Sequence, residues 1–320
     1  MKKRAWAAAA ALVLWCLGAA AQNWPVKPVR IVTAFGAGSA SDIVARTLAE
    51  ELQKAFDQPF IVDNKPGASG IIAAEQVAKA APDGYTLFLS TNTAHSANPF
   101  LFKKLPYEPI KDFTPIARVC YFPFVLAVNA SMPFQTVPEL MAYARDPAHK
   151  LSYGYGNSTG QVAGAAFNSL AKLDATAVPY KSTPQALTDL IGNQIGFLFV
   201  DLASSQAHLK SNRLRALAVT TERRSKMAPE LPTVAESAKL PGFDLAAWVG
   251  VLAPAGLPKD IGDRLSMEIN RALADKKILD KLTTLGAEVA PGNANELRST
   301  MDQQLQVWGR KVKEAGIQAE

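Results

Sequence analysis

The stretch Val29-Arg30-Ile31-Val32-Thr33-Ala34-Phe35-Gly36-Ala37-Gly38-Ser39-Ala40-Ser41-Asp42 decides the fold. Its first five residues read as a buried strand. A loop of small residues follows. Ile43, Val44, Leu48, Leu52 and Phe56 then recur at a spacing of three to four, the period of one helix face. Strand, small-residue loop and helix in that order make the opening unit of an α/β fold.

The same grammar repeats downstream. Strands are predicted over 59–63, 85–89, 124–128, 151–155, 177–180, 197–200, 214–219 and 248–252. Helices are predicted over 71–80, 137–145, from Gly160 to 173, from the 181–184 opening to 191, and over 261–274 and 294–315. In the 181–184 opening, Thr183 suits an N-cap and Pro184 a first helical turn. Residues 90–98 read as a polar loop. Strands alternating with helices predict a parallel sheet covered on both faces. No internal repeat interrupts the pattern.

Four loops share one character. After Thr33, Leu89, Tyr155 and Tyr180 the chain turns to Gly, Ser, Thr and Asn before a helix starts. The unpaired N–H groups of a helix N-terminus carry partial positive charge and bind carboxylates or phosphates. In open α/β sheets the ligand lies beyond the carboxyl ends of the strands, where these loops fall.

The beginning of the chain reads differently. Lys2, Lys3 and Arg4 precede an apolar run over 5–17 and small residues ending at Ala21, the anatomy of a signal peptide cut after Ala21. The run is shorter than the roughly 20 residues of a spanning helix. Trp15 before Cys16 rules out a lipoprotein. Cleavage takes the 320 residues to 299 and the charge from +6 to +3, since three basic residues leave. Cys16 leaves too, so Cys120 has no partner for a disulfide, and the expected location is a bacterial periplasm.

Other chemistries find weak support. Gly36-x-Gly38-x-x-Ser41 with Asp63 approaches a dinucleotide fingerprint, but nicotinamide cofactors are intracellular. Gly156-Asn157-Ser158-Thr159-Gly160 matches the G-x-S-x-G of a hydrolase nucleophile elbow. The only histidine downstream is His208, with Asp201 seven residues before it in the same stretch, and no HGGG-type oxyanion loop precedes. His95, His149 and His208 lack metal-ligand spacing. Basic pairs such as Lys103-Lys104 and Arg223-Arg224 are short and suit solvated faces, not nucleic acid. A polar pocket of hydroxyls, amides and helix ends, without acid–base machinery, describes a binding protein for a small anion.

The chain resembles the Bug/TctC family, the periplasmic solute-binding subunits of tripartite tricarboxylate transporters. The resemblance is carried by Gly36-Ala37-Gly38-Ser39-Ala40-Ser41-Asp42, Val62-Asp63-Asn64-Lys65-Pro66-Gly67-Ala68, Ala81-Pro82-Asp83-Gly84-Tyr85-Thr86-Leu87 and Lys104-Leu105-Pro106-Tyr107. It continues through Val178-Pro179-Tyr180-Lys181-Ser182, Leu187-Thr188-Asp189-Leu190, Leu214-Arg215-Ala216-Leu217-Ala218-Val219-Thr220, Leu231-Pro232-Thr233-Val234-Ala235-Glu236 and Ala253-Pro254-Ala255-Gly256.

The resemblance implies an α/β type II periplasmic-binding-protein fold: two α/β lobes with a ligand cleft between them. Lobe one would comprise 22–124 and 221–320, and lobe two 125–220, the chain crossing near Phe124 and Thr220. It also implies a carboxylate ligand without a cofactor or metal. Carried over, the site comprises Phe35, Gly36, Ala37, Gly38, Ser39, Ala40, Ser41, Thr91, Asn92, Thr93, His95 and Ser96 on lobe one. On lobe two it comprises Gly156, Asn157, Ser158, Thr159, Gly160, Tyr180, Lys181, Ser182 and Asp201. Two positions depart from the family pattern. Ala37 replaces the first of a Gly-Gly pair, and Asp201 stands one residue late, as Phe199-Val200-Asp201.

The implied partners are a small carboxylate, aliphatic or aromatic such as terephthalate, and a membrane permease, with the protein itself a monomer. Two other roles stay open: a ligand-sensing subunit for a membrane kinase, and an exported serine hydrolase using Ser158.

Overall fold

The structure, a computed structural model, describes residues 24–320. The signal peptide expected over 1–21 lies outside the described residues, as does Cys16.

The strands are β1 (Val29–Thr33), β2 (Phe60–Asn64), β3 (Thr86–Thr91), β4 (Phe113–Asn129), β5 (Ser152–Tyr155), β6 (Thr176–Pro179), β7 (Phe197–Asp201), β8 (Leu214–Val219), β9 (Ala246–Pro254) and β10 (Glu288–Gly292). The helices are α1 (Ala40–Phe56), α2 (Ile71–Ala78), α3 (Asn98–Leu101), α4 (Val137–Arg145), α5 (Ser158–Leu170), α6 (Thr183–Ile191), α7 (Leu202–Lys210), α8 (Val234–Ala238), α9 (Lys259–Ala274), α10 (Lys276–Thr284) and α11 (Ala294–Glu314).

Two sheets share one strand. The first runs β2-β1-β3-β9-β4, with β10 also on β4; the second continues from β4 through β7, β5 and β6, with β8 on β4. Strand β4 spans both. Its residues Phe113 to Pro123 pair with β9, and Phe124 to Asn129 pair with β7 and β8. The predicted all-parallel sheet is corrected by this pairing. Only β1–β2, β1–β3, β5–β6 and β5–β7 are parallel, and every pairing made by β4 and β9 is antiparallel. The 17-residue β4 was legible only in its second half. Its first half carries Pro115 and Pro123, and its ladder with β9 shifts register between Pro115 and Ala117 and between Arg118 and Cys120, so no clean alternation marks it.

Each sheet is covered by helices whose apolar stripe matches the predicted period. Helix α1 buries Val44, Leu48 and Leu52, and α11 buries Leu297, Met301, Trp308 and Val312. Residues 90–98 are another correction. Thr93–Ala97 form a π-helical turn that runs into α3, and every residue from Thr93 to Asn98 is buried. Small polar residues there read as a loop, yet α11 packs over them.

Where the chain passes between the sheets, three segments are tied together. The amide of Phe124 donates to the Thr220 hydroxyl at 3.2 Å, that hydroxyl donates to the Leu245 carbonyl at 2.6 Å, and the Thr220 amide donates to the Phe124 carbonyl at 2.9 Å. Thr220 is wholly buried, so this knot is shielded from competing water. After Thr220 the chain first sets α8 against α4, then enters the first sheet as β9.

Candidate functional site: a chamber between the sheets

The loop after β1 is built from its own polar groups. Ser39 caps α1, its hydroxyl accepting the Asp42 amide at 3.3 Å. Burial acts to raise the Asp42 pKa. Hydrogen bonds from the Arg46 side chain, the Gly38 amide and the Asn64 side chain together hold it below its ordinary range. Asn64 also donates to the Phe35 carbonyl at 2.9 Å, so β2 fixes the loop from behind. Gly38 adopts φ 81°, a left-handed conformation open to glycine at little cost. Ala37 and Gly38 face solvent, while Phe35, Ser39, Ala40 and Ser41 line a small chamber.

The opposite wall comes from the second sheet. Asn157 caps α5 by accepting the Gly160 amide at 2.9 Å, and its own amide donates to Thr183 at 3.1 Å. Gly156 lies backbone to backbone on the α6 start: a Cβ there would sit 2.3 Å from the Thr183 nitrogen. Asp201 caps α7, accepting the Ser204 amide at 2.7 Å. It is almost fully buried, and burial pushes its carboxyl pKa up. The expected N-cap Thr183 is corrected to Ser182, with Thr183 at the first helical position. The Ser182 hydroxyl does not cap α6. It crosses the cleft.

Hydrogen bonds span the cleft. The Gly36 amide donates to the Ser182 hydroxyl at 3.0 Å, and the Ala40 amide donates to the Ser204 hydroxyl at 3.2 Å. The Asn92 side-chain amide donates to Thr159 at 3.0 Å, and the hydroxyls of Thr93 and Ser158 lie 2.9 Å apart. Phe122, Phe124 and Ala247 complete the lining, and the chamber measures about 30 Å³.

Not every expected residue joins this wall. His95 and Ser96 turn into the first-sheet core. The His95 ring sits edge-on to Phe113 at 4.7 Å and stacks on Trp248 at 5.8 Å, its Nδ1 lies 2.7 Å from the Pro109 carbonyl, and Ser96 accepts the Trp248 indole N–H at 3.2 Å. Burial lowers the His95 pKa to about 4, so the ring is neutral. Tyr180 and Lys181 lie outside the inner chamber. They line a second, outer cavity of about 350 Å³ together with Tyr155, Gly156 and Gln161, and the Tyr180 hydroxyl donates to Asp189 at 2.7 Å. Phe35 and Asn157 border both cavities.

A family model described as "Tripartite tricarboxylate transporter family receptor" (TctC) matches residues 44–317. The chain belongs to this family. A UPF0065 protein of Bordetella bronchiseptica is 37% identical over 306 residues, 96% of this chain and 91% of that protein. The Rhodopseudomonas palustris protein Rpa4515, in a structure with adipate, is 33% identical with a TM-score of 0.90, covering 93% of this chain and 100% of that one. MatC of the same organism, with bound malate, is 32% identical with a TM-score of 0.84, covering 90% of this chain and 100% of that one.

The TctC receptors are periplasmic solute-binding proteins, and this chain shares their two-lobed fold. Among the described residues, no group of three or more His, Cys, Asp or Glu side chains is placed to hold a metal. No helix there is long and apolar enough to cross a membrane. Ser158 is wholly buried, and its hydroxyl meets Thr93 and Asn92, with no histidine among its hydrogen-bond partners.

Sequence reasoning missed five contributors to the chamber: Phe122, Phe124, Thr183, Ala247 and Ser204. Phe124 reads as a plain strand residue, and Phe122 and Ala247 fall just before the strands predicted over 124–128 and 248–252. For Ser204 a signal existed, because Asp201-x-x-Ser204 has the spacing of an N-cap and its third helical residue.

Proposed function

We propose that this TctC-family protein captures a small carboxylate between its two lobes and delivers it to the permease of a tripartite tricarboxylate transporter. One observation carries the reading. The starts of four helices, α1, α5, α6 and α7, converge on a single small chamber between the sheets, bringing backbone amides and hydroxyls to face each other. Helix N-termini neutralise a carboxylate without a buried arginine. The Gly36 and Ala40 amides, held by serine hydroxyls across the cleft, are the donors that a carboxylate oxygen would take over.

The ligand-contacting set is Phe35, Gly36, Ser39, Ala40, Ser41, Thr91, Asn92 and Thr93 on one side, and Asn157, Ser158, Thr159, Ser182 and Asp201 on the other. The lobes are 22–124 with 221–320, and 125–220. They close as a hinge about the Phe124–Thr220–Leu245 knot. Export is directed by residues 1–21, cut after Ala21 to release the protein into the periplasm.

Denaturing the protein as purified and analysing the released small molecules by mass spectrometry tests this reading. A carboxylic acid in near-stoichiometric amount is expected. Labelling of Ser158 by a serine-directed probe, with no acid released and none bound on addition, would replace it with the hydrolase reading.

A further inference from the structure

The π-helical turn Thr93–Ala97 works in two directions. Toward the second lobe, the Asn92 amide donates to Thr159 at 3.0 Å, and the Thr93 hydroxyl lies 2.9 Å from that of Ser158. All four residues are buried, so these bonds are shielded from water. Toward the first lobe, the residues that follow are tied into the core. The His95 Nδ1 lies 2.7 Å from the Pro109 carbonyl, which can only accept, so Nδ1 carries the proton. The His95 ring sits between Phe113 and Trp248. Ser96 accepts the Trp248 indole N–H, and the Tyr107 hydroxyl donates to the Ala94 carbonyl at 2.9 Å.

Local sequence does little to hold this turn. A π-helical turn is a rare conformation, and Asn92, Thr93 and Ser96 are indifferent helix formers. Asn92 stands at the N-cap position but makes no cap, because its side chain is used across the cleft. The tertiary contacts of His95 and Ser96 therefore set the phase of the turn. A slip of one residue would rotate each side chain by about a quarter turn and withdraw the Thr93 hydroxyl from Ser158.

We propose that His95, Ser96 and Trp248 are positioning residues. They lock the phase of the turn so that Asn92 and Thr93 hold the start of α5 from the opposite lobe. None of the three lines the chamber, so they act only through Asn92 and Thr93. The core of the first lobe thereby fixes one wall of the chamber in the second. This role matters for ligand capture because α5 supplies that wall, and to that extent it rests on the carboxylate-capture reading.

Amide hydrogen exchange of ligand-free protein, residues 22–320, read by mass spectrometry, tests the role. Peptides over 157–162 report the start of α5, and peptides over α4 report the rest of the second lobe. Exchange at the α5 start should rise about fivefold in His95→Leu and in Ser96→Ala, the size of one lost hydrogen bond, with α4 unchanged. Adding His95→Leu to an Asn92→Ala/Thr93→Val background should raise it no further, because the two arms are already gone. A further rise in that background overturns the positioning role. So does a rise at α4 equal to that at α5, or no rise at α5. Because His95→Leu can lose stability, Ser96→Ala, which removes a single oxygen, stands alone as a test. These measurements need no ligand. Their failure is therefore distinct from failure of the capture reading, which is decided by the acid released on denaturation.

Discussion

The two sides of the cleft offer opposite halves of the same hydrogen bonds. The first lobe presents backbone amides, Gly36 and Ala40, at the start of α1. The second presents side-chain hydroxyls, Ser182 and Ser204, at the starts of α6 and α7. Donors fixed in the backbone cannot be repositioned by rotamer changes, whereas hydroxyls can swing away. A ligand oxygen entering between them would displace the adaptable partner and keep the rigid one. The lobes also differ in how tightly their loops are packed. A Cβ on Gly156 would collide with backbone of the α6 start, while a Cβ on Gly38 would meet nothing within 4 Å.

That contrast predicts the largest effect. Gly156→Ala should cost about 3 kcal/mol of folding stability, because two backbone segments must separate to admit one methyl. Gly38→Ala should cost about 1 kcal/mol, from conformational strain alone. Chemical denaturation of the two variants side by side reads the difference, and equal losses would remove the asymmetry.

A comparable effect belongs to the first lobe and to acid. His95 is neutral and fully buried, with its pKa lowered from 6.5 to about 4 chiefly by desolvation. A depressed histidine pKa gives stability that is complete above pH 6.5 and is lost as pH falls through about 4. The loss is about 3 kcal/mol over that interval. Denaturant midpoints followed from pH 7 to pH 4 should fall in the wild type, with a shallower slope in His95→Gln. Parallel slopes would show that the ring does not carry the acid sensitivity.

The knot between the lobes comes next. Thr220→Val keeps the shape and removes the hydroxyl that serves Phe124 and Leu245, leaving buried backbone groups without their partner. A loss of about 2 kcal/mol is expected in thermal or urea unfolding. The cross-cleft hydroxyls come last. Ser182→Ala and Ser204→Ala should each cost only about 1 kcal/mol of the contact between lobes. They should shift the ligand-free protein toward a more open form, read as a larger radius of gyration in X-ray scattering; an unchanged radius in the double variant would mean that these contacts do not hold the lobes together.

The sequence made the local units legible where apolar period and small-residue loops coincide. Strand β1, the α1 stripe, helix α4 and strand β8 fall where the residues put them. It failed where tertiary pairing overrides local pattern. The proline-interrupted half of β4 is a strand because β9 and β10 pair with it. Residues 93–97 are helical because they are buried under α11. For the site, hydroxyl-rich loops before helices pointed to both walls of the chamber. They could not tell Thr93, which faces the cleft, from His95 two residues on, which faces Trp248. Within a helical turn, two residues reverse the direction of a side chain, and a turn read as a loop gives no phase.

The most direct test of the account is a crystal structure of residues 22–320 with a bound carboxylic acid. The account predicts one carboxylate in the chamber between the α1 and α6 starts, hydrogen-bonded to the Gly36 or Ala40 amide, with the Ser182 or Ser204 hydroxyl displaced or shared. An acid bound elsewhere, for example in the groove beside Arg223 and Arg224, with the cross-cleft contacts unchanged, would contradict it.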